Sequence, residues 1–465
     1  MNGRRTIILT VGTCVPLLVI FATASLFHPH YFVKSFLSTK PVQAILEPTH
    51  THDTGLLHPW EPLPTSLITP LEDGDLVPGW AFDSRRDERN FGLRGAQCES
   101  AFPDYYKEIG RAVEFQQTRG NVTEEEVDIS WRKEGEIIRL MIYDHQLYVV
   151  DAKWADHGFD VPRALALLSS INRAIDSYPD PLPNIEFSVG LGDWPGTDSK
   201  SRPLWVLTRR FDEEDKWVMP DFGYWSWPLD VIGAYSQVRS DITENEPDWS
   251  DKINKAVWRG ATGTNDLRKL LVEVSEGKKW SDVKEISWEN STHMAIGMDA
   301  LSISMSEHCN YKYVIHTEGH TYSGRGKYLL NCASVNIVHK PDWIEPHTHL
   351  MKSNGPDQNI VEVSRDFGDL NSKMTQLISD EGEAQRIANN SIHLFRDRYL
   401  TPAAQACYWR KLFHGWASVS FEPELYRPVK DEKTGRTRRR TRGIPFETFT
   451  SDLMFRPQPA RKAGV

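Results

Sequence analysis

The chain has 465 residues and a formal net charge of −10 at pH 7, with 39% apolar and 25% charged residues. This composition is sufficient for packed domains and excludes a globally disordered chain. The acidic balance also argues against a general nucleic-acid binder, which requires a basic surface.

The N-terminus contains a candidate membrane segment. A short tail, residues 1–5, carries Arg4 and Arg5, and the 22 residues of 6–27 follow without a charged side chain. Such a run can cross a hydrocarbon core of about 30 Å as a helix. The two arginines favour a cytosolic N-terminus, so we predict a single-pass type II signal-anchor. The alternative is a cleaved signal peptide, because Ala22-Thr23-Ala24 resembles a cleavage site.

Both interpretations place the remaining chain in the lumen of the secretory pathway. We therefore expect localisation to the Golgi or endoplasmic reticulum membrane, and the lack of a C-terminal retention tetrapeptide favours the Golgi. Three triplets fit the N-glycosylation pattern, at Asn121, Asn290 and Asn389.

Four cysteines lie outside the predicted membrane segment: Cys98, Cys309, Cys332 and Cys407. In an oxidising compartment we expect them to form two disulfides, which can be arranged in three ways. Four buried free thiols are the less favoured alternative.

Residues 28–79 are rich in Pro, Thr and His and show no sustained periodicity, which predicts a stem. The triplet Asp73-Gly74-Asp75 is of a kind that can hold a metal–nucleotide complex. No predicted strand precedes it, so a solvated turn is the preferred interpretation.

Residues 80–250 combine helices with short strands. We predict a helix over 104–120, paired strands over 137–151, a helix capped by Asp160, and strands over 185–191 and 204–208.

Residues 251–420 alternate more regularly between strands and helices. The predicted strands are 256–258, 311–317, 335–339 and 360–363, and the predicted helices are 265–275, 326–333, one from Asp366, and two closing helices over 381–400 and 402–419. Such alternation implies parallel sheets covered on both faces. We therefore predict an α/β protein with two Rossmann-like domains that face a cleft.

The last segment, residues 421–465, contains a strongly basic stretch over 430–442. Contact with lipid head groups or an acidic partner is one interpretation. A solvated, flexible loop is the preferred one.

Two turns of the second half pair an arginine with small residues. In Trp258-Arg259-Gly260-Ala261-Thr262-Gly263-Thr264 a strand delivers Arg259 into a turn that opens a helix. In the segment 317–330 another strand leads through a small-residue loop to Arg325 at the start of a helix. Helix starts and arginines both bind phosphate groups, so these turns favour a diphosphate site. The alternative is a pair of ordinary surface turns.

Asp193 follows the predicted strand 185–191 of the first half. Carboxyl ends of strands face the ligand crevice in open α/β sheets, and a carboxylate there can take a proton from an attacking hydroxyl. The alternative is a simple Asp-Trp-Pro turn.

The segment 219–228 is an aromatic loop that could wall a sugar site or cap the core. His339, His347 and His349 lack the carboxylate or cysteine spacing of a metal shell, so we predict structural histidines and no metal site.

Together these segments resemble the CAP10-like glycosyltransferases, which include protein O-glucosyltransferases and fungal capsule xylosyltransferases. The matching segments lie between residues 102 and 419: 185–195, 219–228, 258–271, 308–339 and 406–413. The resemblance implies a GT-B-like fold, a UDP-sugar donor, inversion at the anomeric carbon and no metal or other cofactor.

The resemblance also implies roles for individual residues. Asp193 matches the catalytic aspartate, and Arg259 and Arg325 match arginines that bind donor phosphate. The implied donor-binding set is Arg259, Gly260, Thr264, Gly319, Ser323, Arg325 and Lys327. The implied acceptor or sugar wall is Trp194, Tyr224, Trp225 and Trp227. Residues 80–250 would then form the acceptor-side domain and residues 251–420 the donor-binding domain.

Two disulfides follow from the same resemblance. Cys309 and Cys332 match a disulfide of the family, and Cys407 matches a cysteine bonded toward the N-terminal region, which points to Cys98.

The chain departs from the family where Ala261-Thr262-Gly263 replaces the usual Ser-Arg-Thr, and where Gly324 and Gly326 flank Arg325. These changes put the choice of donor sugar, glucose or xylose, in question. The expected partners are a UDP-sugar, a protein or glycan acceptor and the membrane, with no nucleic acid. Two rival functions are a glycoside hydrolase with two carboxylates and an inactive carbohydrate-binding protein of the same fold.

Overall fold

A computed structural model describes residues 79–133, 135–155, 160–194, 201–227, 232–286 and 301–455. The predicted tail, the membrane segment 6–27, the stem up to residue 78 with Asp73-Gly74-Asp75, and Asn290 all lie outside the described residues. Within the described part of the chain, no helix has the length and apolar character needed to span a membrane.

The helices and strands alternate along the described chain. The helices are α1 Ser84–Asp87, α2 Gly95–Ala101, α3 Lys107–Arg119, α4 Asp160–Asp176, α5 Tyr235–Asn245, α6 Asp266–Ser275, α7 Gly326–Leu329, α8 Leu370–Ser379, α9 Glu381–Leu394, α10 Pro402–Ala417 and α11 Phe446–Phe455. The strands are β1 Ile137–Tyr143, β2 Gln146–Lys153, β3 Ile185–Gly190, β4 Leu204–Val206, β5 Arg209–Arg210, β6 Lys216–Val218, β7 Ser226–Trp227, β8 Gly233–Ala234, β9 Ile253–Gly260, β10 Ser281–Glu285, β11 Tyr311–His316, β12 Val335–His339, β13 Trp343–Ile344, β14 Val361–Val363, β15 Tyr426–Lys430, β16 Thr437–Thr441 and β17 Ile444–Pro445.

The second half of the chain forms the predicted parallel sheet. Its five strands have the order β10-β9-β11-β12-β14, and every neighbouring pair is parallel. The connections β9–α6–β10 and β11–α7–β12 are crossovers of the type that parallel strands require. Their carboxyl ends therefore meet at one edge of the sheet.

The first half forms a mixed sheet: the predicted paired strands over 137–151 are confirmed, but only part of the sheet has the parallel pairing that a Rossmann-like half would require. Its order is β17-β2-β1-β3-β4-β6, with β1 antiparallel to both β2 and β3. Strands β3, β4 and β6 are mutually parallel. The reversal is caused by a two-residue turn at Asp144 and His145, whose φ values of 49° and 58° fit the turns that close antiparallel hairpins.

Helix α10 packs against the first sheet and is buried around most of its circumference. Trp416 donates from Nε1 to the carbonyl of Glu186 at 2.9 Å, and Tyr408 donates to the carbonyl of Val218 at 2.9 Å. Trp205 of β4 stacks on Phe187 with ring centres 3.8 Å apart and lies edge-on to Trp416. The main core is thus built from the first sheet and the last long helix.

Both disulfides implied by the resemblance are confirmed. Cys98 of α2 bonds to Cys407 of α10 with an S–S distance of 1.96 Å, and Cys309 bonds to Cys332 at 2.01 Å. The first joins the start of the described chain to its last long helix. The second joins the entry to β11 with the segment that precedes β12.

The basic stretch is ordered secondary structure, which corrects the preferred interpretation of a flexible loop. Strands β15 and β16 pair as an antiparallel hairpin in which Arg427 lies opposite Arg440. The following strand β17 joins the edge of the first sheet beside β2. Asn121, in the loop after α3, and Asn389, on α9, are both exposed.

Candidate active site

Two loops leave the carboxyl ends of the neighbouring strands β9 and β11 and lie against each other. Asn265 caps α6 by accepting a hydrogen bond from the backbone of Leu267 at 3.0 Å. Its side-chain amide also donates to the carbonyl of Gly319 at 2.8 Å. Because one side chain bonds to both loops, the two predicted arginine-bearing turns, 258–264 and 317–330, lie side by side. We call these two turns together the rim.

Arg325 stands at the start of α7 within this rim. Its guanidinium donates to the backbone carbonyl of Arg259 and lies 5.7 Å from the ring centre of Trp258. Burial, together with the nearby cation of Arg268, lowers the pKa of Arg325 to about 9. Among the described residues no carboxylate forms an ion pair with it.

A second buried guanidinium, that of Arg268 on α6, lies on the same tryptophan at 5.9 Å. It donates to the carbonyls of Glu318 at 2.9 Å and Ala261 at 3.1 Å. Burial lowers the pKa of Arg268 to about 10, and it too has no carboxylate partner in the described ranges. Two largely desolvated cations with no counter-charge among the described residues are costly, so this position is suited to a multiply charged anion.

Two glycines of the rim leave space beside the guanidinium groups of Arg325 and Arg268. A Cβ atom on Gly260 would lie 3.2 Å from Arg325 Nη2 and 2.6 Å from the Trp258 ring. A Cβ atom on Gly319 would lie 3.4 Å from Arg268 Nη2. Both glycines belong to the predicted donor-binding set, and their lack of side chains leaves room for the arginines.

Arg259 makes different contacts. Its guanidinium donates to the carbonyl of Leu301 at 2.8 Å, to the carbonyls of Trp258 and Asp282, and to the Asp282 carboxylate at 3.0 Å. Four of its five N–H groups are therefore used within the protein. In this structure it supports the rim through its backbone carbonyl, which accepts from Arg325.

Three other predicted donor-binding residues lie within or beside the loops. Thr264 donates from Oγ1 to the carbonyl of Ala261 at 3.1 Å, and Ser323 is buried, with its carbonyl accepting from Gly326. Lys327 is fully buried and forms an ion pair with Asp221 at 2.7 Å. Its ammonium also donates to the carbonyl of Gly324 at 2.5 Å. Through the ion pair with Asp221, Lys327 connects α7 to the aromatic loop 219–228.

Asp193 approaches this rim from the end of β3. Thr321, in the loop that carries Arg325, donates from Oγ1 to the backbone carbonyl of Asp193 at 2.9 Å. The Asp193 carboxylate pairs with Arg163 of α4 at 3.0 Å, and its side chain retains 39% exposure. The structure thus brings together the aspartate of the first sheet and the arginine-bearing loop of the second.

The four aromatic side chains predicted to line a sugar site differ in their solvent exposure. Trp194 is 43% exposed and packs edge-to-face on Trp343, with ring centres 5.3 Å apart. Trp225 lies under the guanidinium of Arg173, and Trp227 packs against Phe222. Tyr224 is buried in the core. Trp194 is therefore the most accessible of the four aromatic side chains.

The three histidines considered for metal binding have separate surroundings. His339 accepts a hydrogen bond from the backbone of Glu318 at 3.0 Å, and His349 bonds to the carbonyl of Asp104 at 2.6 Å. His347 is fully buried. Over the described residues, no group of three or more His, Cys, Asp or Glu side chains has a metal-binding arrangement.

Sequence reasoning missed Arg163 and Arg268. Both lie in helices, where arginine is usually a solvated surface residue, so the helical pattern alone did not mark them as site residues. The one available signal was the position of Arg268 in the first turn of the helix that follows the Arg259 turn.

Comparison with known proteins identifies the class. Residues 97–438, well over half of the chain, match the family described as glycosyl transferase family 90. The chain belongs to this family, which confirms the resemblance to CAP10-like glycosyltransferases.

Similar proteins carry consistent names. The chain is 26% identical to protein O-glucosyltransferase 2 of Danio rerio over 336 residues, covering 70% of this chain and 64% of that protein. It is 24% identical to the O-glucosyltransferase rumi homolog of Aedes aegypti, covering 65% of this chain and 75% of that protein. It is 22% identical to protein O-glucosyltransferase 1 of Homo sapiens, with 50% of this chain and 62% of that protein covered.

Proposed function

We propose that this protein is an inverting, metal-independent glycosyltransferase that moves a sugar from a UDP-sugar to a hydroxyl of a protein or glycan acceptor. One observation carries the proposal: Asp193 is joined to the loop of Arg325, and Arg325 shares the rim with Arg268, neither arginine having a carboxylate partner among the described residues. A candidate base and two cations are the groups that transfer from a nucleotide diphosphate requires.

The reaction we propose is a single displacement. The acceptor hydroxyl transfers its proton to the Asp193 carboxylate while its oxygen forms a bond to the anomeric carbon. The bond from that carbon to the diphosphate oxygen breaks on the opposite face, and its electron pair leaves with UDP. The negative charge that develops on UDP is stabilised by Arg325 and Arg268, which supply charge that a metal ion supplies in other transferases.

Arg163 has a positioning role in this proposal. It holds Asp193 Oδ1 at 3.0 Å, donates to the carbonyl of Leu191 at 3.1 Å and lies 4.8 Å from the ring centre of Phe222. No described residue forms a hydrogen bond with Asp193 Oδ2, so this oxygen is available to accept the proton. A fixed carboxylate lowers the entropic cost of reaching the transition state.

We propose glucose as the first donor sugar to test and a protein hydroxyl as the first acceptor. The support is the printed names of the relatives, which are protein O-glucosyltransferases. The chain covers 64% of the first of these proteins, so the assignment of substrates remains part of the proposal. We further propose a lumenal site of action in the secretory pathway. The two disulfides support this proposal, because such bonds persist in oxidising compartments.

The proposal is tested by measuring UDP release from UDP-glucose with and without a panel of folded secreted proteins and oligosaccharides. We expect acceptor-dependent release that continues in the presence of excess EDTA. Sugar release from an oligosaccharide without any nucleotide would instead support a glycoside hydrolase. UDP binding without turnover on any UDP-sugar or acceptor would support an inactive binding protein.

A further inference from the structure

A small cavity lies among the residues that end or follow β11 and β12. Its volume is about 20 Å³, which is room for one water-sized group. The residues that line it include His316, Glu318, Tyr322, Trp343, Glu345 and Thr348. Trp343 packs on Trp194, and Tyr322 follows the threonine that bonds to Asp193. Two residues of the lining therefore connect the cavity to the neighbours of Asp193.

The walls of the cavity come from the carboxyl ends of two neighbouring strands. His316, Glu318 and Tyr322 end or follow β11, whereas Trp343 and Glu345 follow β12. Tyr322 precedes Arg325 by three residues in the same loop. The sugar of a nucleotide donor is joined directly to its diphosphate, so a diphosphate at Arg325 would hold the donor sugar near this cavity.

Glu318 and Glu345 both line the cavity, but their carboxylates are used differently. Glu318 accepts two backbone hydrogen bonds, from Asp342 at 2.8 Å and Trp343 at 3.1 Å, and pairs with Arg365 at 3.0 Å. Glu345 is 7% exposed, and no described residue forms a hydrogen bond with its carboxyl oxygens. Glu318 is thus a structural residue, whereas the Glu345 carboxyl is unused within the described structure.

The surroundings of Glu345 favour its neutral form. Burial raises the pKa of Glu345 to about 8, against the opposing effect of Lys327. The Lys327 ammonium is already paired with Asp221 and does not form an ion pair with Glu345. A neutral carboxylic acid both donates and accepts a hydrogen bond, which is the pattern that matches a hydroxyl group.

We propose that Glu345 binds the hydroxyl of the donor sugar's hydroxymethyl group, which enters this cavity. The inference rests on the proposed function and adds a substrate class to it, namely a hexose donor in preference to a pentose. Glucose and xylose differ by this one hydroxymethyl group. A site that hydrogen-bonds a hydroxyl disfavours the analogue that lacks it, because the buried polar group is then left unpaired.

The test compares kcat/KM for UDP-glucose with that for UDP-xylose at pH 7 in wild type, Glu345→Leu and Glu345→Gln. We expect wild type to prefer UDP-glucose, and Glu345→Leu to reduce the preference by about tenfold or more. Glu345→Gln retains a neutral donor and acceptor and should keep most of it. Glu276→Leu, an exposed position at the end of α6, is the matched control and should leave the preference unchanged.

A second readout does not depend on the folding of the leucine variant. Above about pH 8 the Glu345 carboxyl ionises, so the wild-type preference for UDP-glucose should decline, while that of Glu345→Gln should not. An unchanged ratio in both experiments, or a wild-type preference for UDP-xylose, would overturn the inference and leave the transferase proposal intact. No turnover of any UDP-sugar by wild type would overturn both.

Discussion

Thr321 Oγ1 donates a hydrogen bond to the backbone carbonyl of Asp193 at 2.9 Å, and this contact joins the loop after β11 to the end of β3. Thr321 is fully buried, so no water competes for the carbonyl at that point. The bond places the proposed base and the proposed diphosphate site in a fixed relationship, although Thr321 and Asp193 are 128 positions apart in sequence.

Thr321→Val should therefore lower kcat without weakening UDP binding. Valine has nearly the same shape but cannot donate, so the Asp193 loop loses its link to the Arg325 loop. We expect a fall in kcat of about tenfold, because small displacements of a catalytic group have large effects on rate. Thr375→Val, on the exposed side of α8, is the control. A Thr321→Val enzyme with wild-type kcat would show that this hydrogen bond does not position the base.

Arg325→Ala and Arg268→Ala should each weaken UDP binding. Each removes a buried cation with no carboxylate partner among the described residues, and hydrogen bonds to charged groups contribute about 1.5–3 kcal/mol. We therefore expect the Kd of UDP, measured by calorimetry, to rise by about tenfold or more. Thermal stability without UDP should not fall comparably, since removal of an unpaired buried charge relieves a desolvation cost.

Arg259→Ala provides an informative comparison, because the sequence motif also predicts a phosphate role for this residue. Its guanidinium bonds to Asp282 and three backbone carbonyls, so the substitution should lower Tm more than either of the other two. If Arg259→Ala instead weakens UDP binding more than Arg325→Ala at unchanged Tm, the assignment of Arg325 and Arg268 as the principal phosphate ligands is wrong.

Lys327→Met should destabilise the protein by about 3–5 kcal/mol, because it leaves the buried carboxylate of Asp221 without its cation. The remaining donors to Asp221, the hydroxyl of Tyr322 at 3.0 Å and the backbone of Gly223, do not supply a charge. Urea unfolding measures the change. The double variant Lys327→Met with Asp221→Leu should recover part of the loss, and a single-variant cost below about 1 kcal/mol would show that the pair contributes little.

Stability should fall as the pH decreases below about 6.5. Burial lowers the pKa of His308 to about 3, with the cations of Arg325 and Arg259 adding to the effect, and burial lowers the pKa of His347 to about 3. The unfolded chain binds protons at these histidines below their ordinary pKa of 6.5, whereas the folded chain does so only near 3. The stabilisation is present above pH 6.5 and is lost progressively toward pH 3.

His347→Phe isolates one of these contributions. Both ring nitrogens of His347 are buried without a hydrogen-bond partner in the described structure, so an apolar ring is an acceptable replacement. The free energy of unfolding of this variant should depend less on pH between 6.5 and 3 than that of wild type. Identical pH dependence in the two proteins would contradict a neutral buried His347.

The second sheet could largely be predicted from sequence, because its strands alternate with helices, which favours a parallel sheet, although its edge strand β10 was not predicted. In the first sheet the paired strands over 137–151 were predicted, but the mixed topology was not, because no sequence pattern shows that β1 also pairs with β3 in the antiparallel direction. The disulfides followed from the resemblance, because four cysteines alone allow three arrangements.

The site was predictable in its loops but less so in its individual contacts. The strand ends predicted that Asp193 and Arg325 lie near each other, and the structure joins the Asp193 backbone to the Arg325 loop through Thr321. Whether a basic side chain forms an ion pair with a carboxylate depends on tertiary contacts. The Arg259–Asp282 and Lys327–Asp221 ion pairs could therefore not be predicted from the sequence. The same reason explains why the unpaired Arg268 was missed.

The measurement that tests the central claim most directly compares Asp193→Asn with wild type in two assays: UDP-glucose turnover with an acceptor, and the Kd of UDP. Asparagine preserves shape and hydrogen bonding but cannot accept the proton. We predict loss of transfer by about a thousandfold or more, with UDP affinity within about twofold of wild type. Transfer by Asp193→Asn at a near wild-type rate would contradict the assignment of Asp193 as the base.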